Sequence, residues 1–74
     1  MTPREHLIAL ASIEGYRDVE EMLCDAAFDD VVPGICKNAE CSYTTGTEPD
    51  ATANWCEICN TNSVVSCLVL AGVI

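Results

Sequence analysis

The chain has 74 residues, half of them hydrophobic, and its 12 acidic and 3 basic side chains give a net charge of −9. This length predicts one domain, 1–74, and the hydrophobic fraction excludes a chain that is disordered for want of apolar residues. The acidic balance argues against direct nucleic-acid binding, because only three cations could replace the counterions of phosphates. Domains this small commonly need a metal, a disulfide or a partner for stability.

A first helix is predicted near the N-terminus. Thr2 offers a hydroxyl cap, Pro3 suits the first helical position, and Glu5 stands three residues after the cap. Gly15 suits a left-handed C-terminal end, which predicts a helix over 3–14. Its apolar side is predicted from the near-helical spacing of Leu7, Ile8, Ala11 and Ile13 or Glu14. The only histidine, His6, is predicted to be an exposed surface residue.

A second helix is predicted over 18–28 and completes a helical part over 1–31. Asp18 and Glu21 repeat the helix-start signal. Apolar residues follow at i, i+3, i+4, i+7 and i+8, namely Val19, Met22, Leu23, Ala26 and Ala27. The acidic residues Glu20, Glu21 and Asp25 are predicted to face water, and Asp29 and Asp30 are interpreted as solvated charges.

The remaining residues, 32–74, change in composition and are rich in cysteine, threonine and asparagine. The Pro33-Gly34 pair predicts a type II turn within 31–35. Short extended segments over 42–45 and 52–55, on either side of a turn at 48–50, predict a two-stranded hairpin. Residues 61–63 could cap a final helix over 64–71, although the valines there favour a strand equally; we favour the helix.

Two segments bear on export and on membrane insertion, namely residues 1–6 and the apolar run 64–74. Residues 1–6 mix charges without the features of a secretory signal, so a cytoplasmic location is expected. The apolar run 64–74 has 11 residues, well short of the roughly 20 that span a bilayer. We therefore expect no membrane association and interpret this run as core.

Four of the six cysteines form a metal-ligand pattern. Cys36, Cys41, Cys56 and Cys59 are spaced C-x4-C-x14-C-x2-C, so two tight pairs are joined by a hairpin-length loop. Such pairs can bring four thiolates around one tetrahedral ion, which predicts structural zinc (Zn2+). Two disulfides in a secreted protein and iron bound by the same four sulfurs are the alternatives. Rubredoxins carry glycine after the second cysteine of each pair, whereas Asn60 follows Cys59 here.

Three further residues bear on this site. Four thiolates and one divalent cation carry a charge of −2. Lys37, next to Cys36, could offset that charge locally or could simply be a solvated lysine. Cys24 and Cys67 are interpreted as small buried hydrophobic residues, because a fifth ligand is not needed.

Residues 36–65 resemble zinc-ribbon domains, in which a knuckle, a β-hairpin and a second knuckle surround the metal. The whole sequence also resembles a group of short bacterial and phage proteins of unknown function, through residues 32–36, the turn at 48–50, residues 55–59 and residues 68–72. The C-x4-C of the first knuckle departs from the C-x2-C common in ribbons. The resemblance implies an α+β fold in which two N-terminal helices pack on a small zinc-ribbon-like β-hairpin, followed by a C-terminal apolar helix or strand. It implies a metal and no activity.

A protein-protein interaction module held together by structural zinc is the predicted function. Tyr43 and Trp55 could anchor an unidentified partner with a basic surface, or they could cover the metal site. The alternative is a thiol-disulfide redox protein that uses the Cys56-Cys59 pair, because Trp55 completes a W-C-x-x-C motif. We expect no enzymatic activity, since the thioredoxin-like fold needs a longer chain. The protein is expected to be a monomer or a homodimer formed through 64–74.

Overall fold

A computed structural model describes residues 2–38, 41 and 43–73, and this part of the chain forms three helices and a four-stranded antiparallel sheet. The α+β fold class and the two N-terminal helices are confirmed. In chain order the elements are α1 (Pro3–Ile13), α2 (Val19–Ala26), β1 (Val32–Cys36), β2 (Thr44–Thr47), β3 (Asn54–Cys56), β4 (Thr61–Ser66) and α3 (Cys67–Leu70).

Helix α1 begins at the predicted residue and ends one residue before the predicted Glu14. The Glu5 N–H donates to Thr2 Oγ1 at 3.2 Å, and the Glu5 carboxylate accepts from the Thr2 N–H at 3.2 Å. These two bonds satisfy N–H groups that a helix start leaves free. Gly15, just beyond the helix, takes a φ of +83°, which favours glycine.

The buried face of α1 differs from the predicted one. Its buried residues are His6, Leu7, Leu10 and Ala11, whereas Ile8 and Ile13 are half exposed. The prediction was right for Leu7 and Ala11 but wrong for Ile8 and Ile13, because apolar residues occur on several sides of this helix and their spacing does not select one face. The expected exposure of His6 is also wrong, since its side chain is only 2% exposed. Its Nε2 has no hydrogen-bond partner among the described residues.

Helix α2 also follows its predicted start signal. Asp18 Oδ1 accepts from the Glu21 N–H at 2.8 Å, and Val19, Met22 and Ala26 are buried. The helix ends two residues before the predicted Phe28, and the predicted acidic residues are exposed as expected: Glu20, Glu21 and Asp25. The first two helices therefore place much of the negative charge in solvent.

Tyr16 joins the α1–α2 connection to α2, and its removal should weaken the fold in a pH-dependent way. Its hydroxyl donates to Asp25 Oδ2 at 2.7 Å. This bond, with burial and the nearby charges of Asp25, Glu14 and Asp29, raises the pKa of Tyr16 to about 12. We expect Tyr16→Phe to lower the free energy of unfolding by about 0.5–1 kcal/mol at neutral pH.

The difference between wild type and Tyr16→Phe should shrink in alkaline solution. Below the ordinary tyrosine pKa of about 10, both folded and unfolded chains keep the proton, so the stabilisation is complete. As the pH rises from about 10 to about 12, the unfolded chain loses its proton first and the stabilisation is lost. Urea unfolding of both proteins at pH values of about 8 and about 11.5 measures this. A constant difference would contradict the role of the phenol proton.

The sheet order is β2-β1-β4-β3, which corrects the predicted hairpin. The two segments expected to pair with each other became β2 and β3, which lie at opposite edges. Strand β2 pairs with β1, and β3 pairs with β4, while β1 and β4 pair in the middle. Local pattern identified extended segments, but it carried no information on this long-range central pairing. Residue 42, predicted at the start of the first segment, lies outside the described residues.

The predicted turn at Pro33-Gly34 is instead the middle of β1. Gly34 does not take the positive φ that a type II turn requires there. Proline is tolerated because β4 pairs only with Gly34 to Cys36, so the missing Pro33 N–H leaves no gap in the β1–β4 ladder. Gly34 is required for close packing, because a Cβ there would lie 2.5 Å from Thr47 Cγ2.

The C-terminal segment is both strand and helix. Residues 61–63, predicted to be a helix cap, begin β4, and Ser66 caps the short α3 instead. Ser66 Oγ donates to the Pro49 carbonyl at 2.6 Å and accepts from the Val69 N–H at 3.2 Å. The β-branched Val64 and Val65 therefore lie in the strand and are buried, as the core interpretation expected.

Most of the buried hydrophobic residues belong to one of two clusters. One joins α1, α2, α3 and β1 through Leu10, Met22, Ile35 and Leu68. The other contains three cysteines and Val64, with Tyr43 and Cys59 packed against it. None of the helices in the described part of the chain has the length and apolar character needed to cross a bilayer.

Candidate metal centre

The four predicted cysteines meet at one end of the sheet. Cys36 is the last residue of β1 and Cys56 the last of β3, and the second cysteine of each pair, Cys41 or Cys59, follows within five residues. All four Sγ atoms lie within 4.8 Å of one another. Strand β4 lies between β1 and β3 and places buried Val64 against the cluster. The sheet therefore brings together two cysteine pairs that are distant in sequence.

The separations between sulfur atoms fit a tetrahedral ion. Cys36 Sγ lies 3.8 Å from Cys59 Sγ, and Cys41 Sγ lies 3.6 Å from Cys56 Sγ. Four sulfurs bound at about 2.3 Å with tetrahedral angles lie about 3.8 Å apart. All six cysteines belong to the described part of the chain, and none forms a disulfide there. The cluster could therefore hold a metal ion without rearrangement.

The second knuckle is shaped by backbone hydrogen bonds around Cys56. The Cys59 N–H donates to Cys56 Sγ at 3.4 Å, and the Asn60 N–H donates to the Cys56 carbonyl at 2.8 Å. Asn60 takes a φ of 55°, the left-handed conformation usually occupied by glycine. Asparagine adopts it more readily than other non-glycine residues, so Asn60 suits this position.

Substitutions at Asn60 should separate backbone conformation from side-chain chemistry. We expect Asn60→Gly to keep wild-type stability, because glycine accepts a positive φ. We expect Asn60→Ala to lower the free energy of unfolding by about 1–2 kcal/mol. Exposed Asn62 on β4 provides the control, since Asn62→Ala should change stability little. Chemical unfolding measures all three, and a loss in Asn60→Gly equal to that in Asn60→Ala would contradict the conformational argument.

Ser63 is a site residue that sequence analysis missed. Its buried hydroxyl lies 3.1 Å from Cys36 Sγ and 3.0 Å from Thr61 Oγ1. The Lys37 N–H donates to the Ser63 carbonyl at 2.9 Å and so holds β4 beside Cys36. The hydroxyl can donate to a thiolate and stabilise its negative charge. No spacing rule identifies Ser63, because only the β1–β4 pairing brings it to the site.

The surroundings of Cys36 and Cys41 shift the pKa values of these two thiols in opposite directions. Burial opposes ionisation of Cys36, but hydrogen bonds from Ser63, the Asn38 backbone and the neighbouring sulfurs together lower the pKa of this thiol to about 7. A backbone hydrogen bond from Tyr43 favours the Cys41 thiolate, but burial and the neighbouring sulfurs raise its pKa to about 12. A metal must therefore displace the Cys41 proton at neutral pH, which makes metal binding release protons.

The other candidate residues have separate environments. Tyr43 is half-buried against the cysteine cluster, whereas Trp55 is 52% exposed. Lys37 is exposed. Cys67 is buried in the helical core as predicted, but the same prediction for Cys24 is wrong, since it is exposed on α2. Its neighbour Leu23 is half-buried, so Cys24 lies outside the buried face of α2.

No protein-family model, curated protein or solved structure matches the chain. The chemistry of the site therefore follows from its own geometry. That geometry consists of four sulfur atoms within 4.8 Å, three of them from buried residues, in a small protein with a β-sheet. It fits a metal-binding domain.

Proposed function

We propose that the protein binds one zinc ion through Cys36, Cys41, Cys56 and Cys59 and that this ion is structural. The observation that carries the proposal is the close approach of the four sulfurs, with separations of 3.6 and 3.8 Å that suit tetrahedral zinc. Four thiolates fill the coordination sphere, so no position is left for water or substrate. The ion would join the end of β1 to the end of β3 across β4.

We infer a zinc-ribbon-like identity for 32–74, in which β2 and β3 pair with β1 and β4 rather than with each other. The first cysteine of each pair is the last residue of a strand in the antiparallel sheet, and the second cysteine follows that strand. The turn from Cys56 to Asn60 has the tight backbone that a knuckle requires. Zinc is favoured over iron by the resemblance to ribbons, although both metals accept four thiolates. The Ser63 hydroxyl would compensate part of the charge of −2 that four thiolates and zinc carry.

The biological role that we propose is a cytoplasmic protein-interaction module without catalytic activity. A metal that stabilises a small fold leaves the exposed surface free to bind a partner. The net charge of −9 favours a partner with a basic surface and disfavours nucleic acid. The half-exposed Trp55 and exposed Ile58 lie beside the second knuckle, where they offer apolar contact area.

Elemental analysis of the purified reduced protein tests the metal assignment. We expect one zinc per chain and loss of β-sheet circular dichroism when a strong chelator removes it. The Ser63→Ala variant should keep one zinc but bind it roughly 10- to 100-fold more weakly, because the variant loses a hydrogen bond to a ligand. A chain that contains no zinc and keeps its fold in chelator would refute the proposal. Iron at one atom per chain would refute the choice of metal.

A further inference from the structure

A hollow of about 260 Å³ lies between the end of α1 and the β1–β2 edge of the sheet. Its apolar surface comes from Tyr16, Val31 and Pro33, and Gly46 adds a side-chain-free position on β2. Val31 is 66% exposed. This surface can contact the aliphatic part of a bound side chain.

The charge at this hollow is negative. Glu14 and Asp29 line it and are both exposed, and no cation lines it among the described residues. The negative charges of these two carboxylates reach Tyr16, where they help to raise the pKa of its hydroxyl. Arg17, the residue after Tyr16, is directed elsewhere, since its guanidinium lies within 3.8 Å of Asp18 and 3.6 Å of Glu21.

The turn between α2 and β1 adds an exposed aromatic residue. Phe28 is 92% exposed and precedes Asp29 of the hollow. The turn is ordered by backbone bonds, in which the Phe28 N–H donates to the Asp25 carbonyl and the Asp29 N–H donates to the Ala26 carbonyl. These bonds fix the backbone of the turn, so little backbone entropy is lost when a partner contacts the exposed ring.

We propose that this hollow, together with Phe28, binds an arginine side chain and an adjacent apolar residue from a basic segment of a partner protein. This inference rests on the proposed role as an interaction module. Glu14 and Asp29 supply the negative charge that attracts the guanidinium, and Tyr16, which also lines the hollow, supplies an aromatic ring for it to contact. The methylene groups of the arginine contact Val31 and Pro33. The apolar neighbour contacts Phe28.

The test uses the full zinc-loaded chain and a short synthetic peptide in which arginine alternates with leucine. Peptide binding is measured by fluorescence anisotropy, and the binding surface by backbone amide shifts in NMR. We expect the largest shifts at 14–16, 28–33 and 46. The E14Q/D29N variant should bind roughly tenfold more weakly, since it loses two ion pairs. The control variant E20Q/D50N changes the net charge equally at exposed residues outside the hollow. Its change in the logarithm of the dissociation constant should be less than half of that in E14Q/D29N.

Three results would overturn the inference. Equal weakening in the two charge variants would show that only the net charge matters, and amide shifts centred outside the hollow would place the peptide elsewhere. Self-association that E14Q/D29N abolishes, seen by sedimentation, would make a second copy of the chain the occupant. Phe28→Ser should also weaken binding of the leucine-containing peptide but not of its serine analogue, and equal effects on both would remove Phe28 from the site.

The zinc content of the same samples separates this inference from the metal proposal. Peptide binding in the hollow by a chain without zinc would support the inference while refuting the structural zinc. A zinc-containing chain to which the peptide does not bind would refute the inference while leaving the metal centre in place.

Discussion

The Cys41→Ser variant is expected to lose its zinc and to lose more than about 4 kcal/mol of unfolding free energy, the range reached when a metal site is destroyed. A chain of this length has only about 4–11 kcal/mol in total. Cys41 Sγ lies 3.6 Å from Cys56 Sγ, so serine at position 41 removes one of the four thiolate ligands. Metal analysis and thermal unfolding followed by circular dichroism measure both effects.

Cys24→Ser is the matched control for this experiment. Cys24 is exposed on α2, away from the cluster, so the same chemical change should alter the free energy of unfolding by less than about 0.5 kcal/mol. Its zinc content should stay at one per chain. A Cys41→Ser protein with full zinc content and unchanged thermal stability would contradict the assignment of Cys41 as a ligand.

Gly34→Ala is expected to lower the free energy of unfolding by about 1–2 kcal/mol. The new Cβ would lie 2.5 Å from Thr47 Cγ2 and 3.2 Å from Val64 Cγ1, and both neighbours are buried. Thr47 has a stiff χ1, and its hydroxyl donates to the Val32 carbonyl at 3.2 Å, so it cannot turn away without losing that bond. Overpacking costs about 1–3 kcal/mol, and the lower entropy of the unfolded chain returns about 0.4–1 kcal/mol.

Two further variants make the Gly34 experiment specific. Gly46→Ala should be nearly neutral, because its new Cβ would meet only the end of the exposed Val31 side chain. Thr47→Ser removes Cγ2 and keeps the hydroxyl, so it should recover part of the stability lost in Gly34→Ala. Urea unfolding of the single and double variants gives the coupling free energy. A coupling of zero would show that the contact between positions 34 and 47 is not the cause.

Features with local physical causes could be predicted from the sequence. The starts of α1 and α2 follow from hydrogen bonds that Thr2 and Asp18 make within one turn, and the end of α1 follows from the φ of Gly15. The two cysteine pairs could be recognised because each pair lies within a short segment. The metal-ligand spacing predicts that the two pairs meet, and the pairing of β1 and β3 with β4 brings them together.

Features set by distant pairing could not be predicted in the same way. Pro33-Gly34 is a common turn sequence, and only the alignment of β1 with β2 and β4 makes it a strand. Ser63 contacts Cys36 for the same reason. His6 illustrates a different limit, because its burial depends on which side of α1 the rest of the chain covers, and the helix offers apolar residues on more than one side.

The neighbouring residues Ile35 and Cys36 of β1 belong to different buried clusters, one with the helices and one with the cysteines. Because successive side chains of a strand point to opposite faces, a slip of β1 by one residue would exchange their positions. A metal bound to Cys36 therefore fixes the alignment of Ile35 against the helices, although it touches none of them. The ion would fix the register of β1 in the sheet. It would exclude shifted pairings that a short strand containing proline and glycine would otherwise permit.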